Sequence, residues 1–330
     1  MVRRLAVLSE VQDSLRRELP GLREAVPLAP YCAYGVGGPA EWLFEACATA
    51  ELARAVTLGR QLGVPVTVLG QATNVLVGDT GVPGLVVLAR DEESSLDGEL
   101  LTVGAGMVLS KLVTGLAEGG LGGLEFAGNI PGSVGGAVVG NAGAYGRAVA
   151  DALVTADVLV GGQIWSMTAA DLDLGYRTSA LKRRAAGAPQ RPDLAGAVVL
   201  RATFVLRPGS RTALLEEIAR DAERRRTKHP LEYASCGSYF KNPPRELPAA
   251  RLIEDAGLKG LTVGRARVSE KHANFLVALE GAAAADILAL AAEVKHRVRE
   301  HSGVELEEEV RLLGIEPSGT GTPAGLLSPP

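Results

Sequence analysis

Apolar residues recur at helical spacing over residues 5–24, until Pro20 and Gly21 interrupt the pattern. A second helical period covers residues 49–62 and puts Leu52, Val56, Leu58 and Leu62 on or near one face. Residues 65–70 and 85–88 are short apolar runs of the length of buried strands. This alternation predicts an α/β unit. Residues 91–99 are polar and predict a turn, 101–103 open a strand, and 109–118 predict a helix.

From 154 to 206 the pattern is mostly β, with 158–160 and 198–206 the clearest strands and 186–192 a loop. Residues 211–226 predict a helix whose early acids and late bases suit the helix dipole. A strand is expected around 275–277, then a long helix over 283–301 that Gly303 ends, then a last strand over 304–313. The Pro-, Gly-, Ser- and Thr-rich residues 316–330 predict a disordered tail. No internal repeat is visible.

Composition narrows the class. A chain of 330 residues has room for two or three domains, and 47% apolar with 22% charged residues is ordinary for a globular protein. A net charge of −4 leaves no general nucleic-acid footprint. Cys32, Cys47 and Cys236 are odd in number and lack metal spacing, which fits a reducing, cytoplasmic compartment. The short apolar run at the start is closed by Ser9, Glu10, Gln12 and Asp13, so no signal peptide is expected, and no stretch is long enough to span a bilayer.

The stretch 123–146 is the most distinctive. It is rich in glycine and alanine, nearly uncharged, and mixed with Ile130, Pro131, Val134, Val138 and Val139. A linker would be polar; this segment can be buried and fixed. Glycine lets backbone N–H groups face a ligand at close range, which suits a large phosphate-bearing cofactor. Ser133, Asn141 and Tyr145 between the glycines favour a ligand over a tight turn. By contrast, 35–40 matches a dinucleotide fingerprint on paper, but Pro27, Pro30 and Pro39 leave no strand–turn–helix context for it.

Three polar groupings could carry chemistry. Arg177, in 175–179 just after an expected short helix, could bind a carboxylate or a developing oxyanion. In 236–243, Gly237 exposes Ser238, with Lys241 and Asn242 following; no nucleophile motif surrounds that serine. On the expected last strand, alternation puts Glu308 with Val304, Leu306, Val310 and Leu312, and puts Glu305, Glu307 and Glu309 on the other face. Lys259 and the segment 269–275, with His272, add a basic, hydrogen-bonding set, while His229, His296 and His301 read as solvated or structural. No residue set has metal-ligand spacing.

In order, the segments 37–40, 69–76, 130–136, 141–146, 176–177, 237–243, 256–260 and 306–311 resemble the UDP-N-acetylenolpyruvoylglucosamine reductase family, with the short 243–258 segment of the class lacking a long insertion. The resemblance implies an α+β, FAD-binding fold of the vanillyl-alcohol-oxidase (PCMH) type. Two α/β subdomains, 1–92 with the last strand 303–315 and then 93–226, would hold the flavin, and an α+β domain over 227–302 would cover the substrate. It places the catalytic roles on Arg177, Ser238 and Glu309, choosing Glu309 over the Glu308 of the face pattern because Glu-Val-Arg fixes the register. Substrate-binding positions fall on Tyr176, Lys228, Asn242 and Lys259. Flavin-binding positions fall on Gly70, Gln71, Ala72, Thr73, Asn74 and Val75, and on Gly132, Ser133, Gly135, Gly136, Asn141 and Ala142.

The implied activity is NADPH-consuming reduction of UDP-N-acetylglucosamine enolpyruvate to UDP-N-acetylmuramate, a peptidoglycan precursor, with non-covalent FAD and no metal. The implied partner is the UDP-sugar substrate, with no nucleic acid, membrane or obligate protein partner. Two other readings stay open: another FAD oxidoreductase of this fold, such as a sugar or hydroxy-acid oxidase, and a non-catalytic flavin or nucleotide-sugar binder. Two departures bear on the flavin contacts. Ala72 and Asn129 stand where the family pattern has glycine, and each adds a Cβ.

Overall fold

The computed structural model describes residues 2–183, 194–243 and 247–315; the expected loop 186–192 and tail 316–330 lie outside the described residues. The first helix, Val2–Glu18, stops before Pro20, and the chain turns at Gly21 into the strand Arg23–Pro27. The expected helical run to 24 is therefore cut short, because Arg23 and Glu24 pair with Leu43 and Trp42 of the strand Pro39–Ala46. That strand pairs in parallel with Val82–Ala89, which pairs in parallel with Val66–Leu69. The helix Thr49–Gln61 buries Leu52, Ala55 and Val56 against this sheet, together with Leu15 of the first helix and Leu19 just after it. Residues 35–38 run into a strand, not a helix, so the fingerprint lookalike is set aside.

The second unit is a five-stranded antiparallel sheet in the order Gln163–Thr168, Leu153–Val160, Val198–Val205, Leu100–Gly104 and Ser94–Asp97. Its edge strand Ser94–Asp97 lies in the stretch expected to be a turn; it is exposed throughout, and a solvated edge carries turn-like polar residues. The helices Leu109–Glu118 and Val134–Gly140 cover the inner face. On the outer face, Leu159, Val198 and Leu200 pack into the core of the first unit. At this seam the fully buried Asp91 accepts from Thr49 Oγ1 and, at 2.9 Å, from the Glu93 N–H. The seam holds the two glycine-rich segments face to face.

The helix Arg211–Lys228 leads to a third core, built from the sheet Thr262–Val263, Ala266–Val268 and Leu276–Ala278 with the helices Ala249–Asp255 and Ala284–Ser302. Tyr34, Val36 and Leu76 from the first unit enter this core. The Asp79 carboxylate accepts from the Ala284 and Ala285 N–H groups at 2.8 and 3.0 Å, capping the last helix from across the boundary. Gly303 ends that helix in the left-handed conformation, as its position predicts.

The last segment differs from its expected form. Only Arg311–Leu313 is a strand, paired in parallel with Val75–Val77; before it, Phe240 and Glu308 form a single antiparallel bridge. The chain changes partner between 308 and 311, so one alternation cannot run through it. Leu306 and Val310 are buried, Leu312 is 38% exposed, and Glu308 and Glu309 are both partly buried.

Candidate active site

The two glycine-rich segments meet at their backbones. A Cβ on Gly70 would lie 2.0 Å from Ser133 Oγ, and one on Gly132 would lie 3.1 Å from Thr73 Oγ1. Thr73 Oγ1 also donates to the Pro131 carbonyl at 3.1 Å. Ser133 caps the helix Val134–Gly140, its Oγ accepting from the Gly136 N–H at 3.3 Å. On that helix the face at Gly140 is open, with nothing within 4 Å of an added Cβ, and at Gly136 only Ser133 Oγ stands near, at 3.5 Å. Two glycines four residues apart thus leave backbone uncovered on one side of the helix, where side chains would otherwise stand. This fits the flavin that the sequence implies. Gln71, Asn74 and Val75 follow Gly70 on one segment and Asn141 and Ala142 follow Gly140 on the other, whereas Gly135 is packed against Ala105, whose Cβ a side chain there would meet at 2.8 Å.

The two departures behave differently. Ala72 is buried with φ +45, the left-handed region where its Cβ carries strain; Asn129 has an ordinary φ, and its amide reaches the Ile218 carbonyl at 2.8 Å. The asparagine therefore ties the glycine-rich segment to the helix Arg211–Lys228. Asn141 is also spent inside the protein. Its side chain donates to the Gly175 carbonyl at 2.9 Å and accepts from the Ala150 N–H at 3.0 Å.

That contact leads to Arg177. Gly175 and Thr178 close a tight turn with reciprocal hydrogen bonds of 3.0 and 3.2 Å, leaving Tyr176 and Arg177 at its apex. The short helix Ala180–Arg183 follows this turn, where the sequence pattern had a helix before it. Arg177 has φ +55, and its Nε lies 3.2 Å from Glu309 Oε1, an ion pair not aligned as a hydrogen bond. Both side chains are mostly buried, Glu309 more so at 16% exposure. Burial pushes the Glu309 carboxyl above the usual carboxylate range, opposed by the charges of Arg177, Lys182 and Lys241. Glu308 instead faces the last helix and pairs with Lys295 at 2.9 Å. The acid beside the arginine is Glu309, against the face pattern.

Ser238 is brought in by the backbone. Gly237 turns the chain at φ +77, where a side chain would be strained. The Glu309 N–H donates to the Tyr239 carbonyl at 2.8 Å, so the acid and the serine lie on neighbouring segments. Cys236 Sγ donates to the Val75 carbonyl at 3.3 Å, joining the serine segment to the segment expected to bind flavin. Behind it, Asn274 is 3% exposed and clamps Phe240. Its Oδ1 accepts from the Phe240 N–H at 2.9 Å and its Nδ2 donates to the Phe240 carbonyl at 2.8 Å.

Of the substrate-binding positions, Asn242 Nδ2 donates to the Tyr176 hydroxyl at 3.3 Å, which puts those two together at the rim; Tyr176 is 61% exposed. Lys259 pairs with Glu254 at 2.8 Å instead. Lys228 ends its helix next to His229, whose ring stands 5.5 Å from that of His272 and 4.9 Å from Phe275. Burial and the cations Arg225, Lys271 and Lys228 push His229 down to about 4. Sequence reasoning missed Lys182 and the clamp by Asn274. Lys182 could have been found only as a lysine five residues after Arg177, a weak signal; Asn274 gives none, since a buried clamp looks like any asparagine in a loop.

Comparison with known proteins gives the family. A family model for the UDP-N-acetylenolpyruvoylglucosamine reductase C-terminal domain matches residues 229–313, and one for an FAD binding domain matches residues 41–165. A UDP-N-acetylenolpyruvoylglucosamine reductase of Rubrobacter xylanophilus is 46% identical over 303 residues, 91% of this chain and 98% of that protein. UDP-N-acetylenolpyruvoylglucosamine reductase 2 of Symbiobacterium thermophilum is 39% identical over 316 residues, 95% of this chain and 99% of that protein. The crystal structure of the reductase from Thermus caldophilus aligns with TM-score 0.73 at 37% identity, covering 88% of this chain and 99% of that one.

Proposed function

The chain belongs to the UDP-N-acetylenolpyruvoylglucosamine reductase family, and we propose that Arg177, Ser238 and Glu309 carry its reaction. The enzyme reduces UDP-N-acetylglucosamine enolpyruvate to UDP-N-acetylmuramate with NADPH. FAD, when bound, supplies the two-electron chemistry. The family assignment sets aside the oxidase and the non-catalytic binder.

Reduction of the enolpyruvyl double bond leaves negative charge on the carbon beside the substrate carboxylate. That charge spreads into the carboxylate, so groups placed there act where charge develops. The Arg177 guanidinium is one. Glu309 is the other: burial raises its carboxyl, and an arriving carboxylate acts in the same direction, toward the protonated form that can donate a hydrogen bond. Ser238 delivers a proton to the carbon, replacing the lost charge with a C–H bond. Asn74, Thr73 and the glycines of both segments would hold the flavin at this point, and Tyr176, Asn242, Lys228 and Lys259 would bind the rest of the UDP-sugar.

The observation that carries the reading is the Arg177–Glu309 pair at 3.2 Å, tied by Glu309's main chain to both the proposed flavin-binding segment and the serine segment. We read residues 1–92 with 303–315 and residues 93–226 as the flavin-binding subdomains, and 227–302 as the substrate domain. The strand pairing of Arg311–Leu313 with Val75–Val77 supports that division, although Leu306 and Val310 pack in the third core. Among the described residues, no helix is long and apolar enough to cross a membrane. The free cysteines and the nicotinamide and nucleotide-sugar substrates support action in the cytoplasm. The test is Ser238→Ala in the FAD-loaded enzyme. Flavin reduction by NADPH should stay near the wild-type rate, and reoxidation by the enolpyruvyl substrate should slow by roughly 10²–10⁴-fold. Equal slowing of both half-reactions, or of neither, rejects the role.

A further inference from the structure

We propose that Lys182 is a positioning residue for the reduction: its ammonium holds the apex of the Arg177 turn and adds a second cation beside Glu309. This rests on the reading of Arg177 and Glu309 as the site.

Arg177 sits in the left-handed region, which an L-residue adopts only where its surroundings hold it. The base of the turn is held by the Gly175–Thr178 bonds and by Asn141. The apex carbonyl, that of Arg177 itself, accepts from Lys182 Nζ at 3.1 Å. Lys182 is anchored in turn. Its N–H donates at 3.2 Å to Oγ of Ser179, a fully buried serine that donates at 2.6 Å to the Val139 carbonyl on the flavin-side helix. A chain of contacts therefore runs from Val134–Gly140 through Ser179 and Lys182 to Arg177, then to Glu309 and back to the proposed flavin-binding segment at Asn74. A shift of Lys182 is a shift of the guanidinium.

The charge has a second use. Lys182 is half-buried, and burial pulls its ammonium down, opposed chiefly by Glu309. It faces Lys241, Arg177 and Glu307 as well. Three cations around one mostly buried carboxyl are poorly placed for an empty pocket and well placed for one that takes in a carboxylate. Without Lys182 the Glu309 carboxyl rises further, and the pH at which it loses its proton moves up.

The test uses the FAD-loaded full chain with Lys182→Met, Lys182→Gln and Lys182→Arg, and Arg177→Met in parallel. In Lys182→Met, NADPH should reduce the flavin at the wild-type rate, while reoxidation by the enolpyruvyl substrate slows roughly 10- to 100-fold, less than loss of a direct donor. Substrate affinity for the oxidised enzyme without NADPH, read from the flavin spectrum, should weaken. The alkaline fall-off of reoxidation should move to higher pH in Lys182→Met and in Lys182→Gln. Lys182→Arg should restore rate and profile in large part. A purely structural lysine would leave the pH profile unmoved. Wild-type reoxidation in Lys182→Met or Lys182→Gln, an unmoved profile, or no rescue by arginine overturns the proposal. If Arg177→Met is crippled while the Lys182 variants are normal, only the role of Lys182 falls; if Arg177→Met turns over normally, the reading of the site falls with it.

Discussion

The side-chain amide of Asn74 donates to the main-chain carbonyl of Glu309 at 3.2 Å, and the Arg311 N–H donates back to the Asn74 carbonyl at 3.0 Å. One residue of the proposed flavin-binding segment thus holds the stretch that carries the acid. Asn74→Ala loses one partly buried hydrogen bond, a cost of about 1 kcal/mol. We expect FAD to bind several-fold more weakly to the apoprotein by fluorescence titration, and reoxidation at saturating FAD to slow about 10-fold, a 1.4 kcal/mol effect. Weaker FAD binding with unchanged reoxidation would show that the link does not reach Glu309.

The neighbouring acids should separate. Glu309→Gln is expected to slow reoxidation by roughly 10²–10³-fold, as for loss of a group that stabilises developing charge, with flavin content unchanged. Glu308→Gln loses only a part-exposed pair with Lys295, worth about 0–1 kcal/mol, so its melting temperature should move by about 2 °C and its turnover little. Rapid-mixing kinetics and thermal melts on both variants check this; the reverse pattern puts the register off by one residue.

Asn274→Ala should affect fold and chemistry together. It leaves the N–H and the carbonyl of Phe240 unpaired in a buried place, at about 1–3 kcal/mol for each. The melting temperature should drop by several degrees. Because Ser238 stands two residues away on the clamped segment, reoxidation should slow while flavin reduction by NADPH holds. Kinetics at a temperature well below the melt separate the two effects, and unchanged reoxidation there would confine Asn274 to stability.

His229 sets an acid limit on stability. Its folded value of about 4 lies below the ordinary 6.5, so the unfolded chain takes up the proton first as pH falls. The stabilisation is present above 6.5 and lost on the way down to about 4. His272 is lowered too, also by burial, and works in the same direction. His229→Phe keeps the packing on Phe275 and gives up no hydrogen bond at Nδ1, which has no partner among the described residues. Since the ring is only partly buried, we expect the acid-side loss of melting temperature to shrink by only about 2 °C. An unchanged slope between pH 7 and 4.5 would assign the loss to other groups.

Regular elements were legible wherever one periodicity served one environment. The helices over Thr49–Gln61, Leu109–Glu118 and Ala284–Ser302 follow their apolar spacing to within two residues of the bounds read from sequence, since each packs a single face. The edge strand Ser94–Asp97 was not legible, because exposure on both faces erases the alternation.

For the site, the sequence by itself determined the chemical types: a glycine-rich cradle, an arginine, a serine after a glycine, and an acid in a short acidic run, in an order that matches one family. It could not choose between Glu308 and Glu309 by pattern. Which of them stands beside the arginine was decided by tertiary structure, where the chain leaves its bridge with Phe240 to pair with Val75–Val77. Between those two partners the backbone turns one acid toward Lys295 and the other toward Arg177. Lys182 and Asn274 belong to the same class of decision. Their partners are main-chain carbonyls and N–H groups, which every residue carries, so no side-chain pattern along the chain can mark them and only the fold brings them within reach.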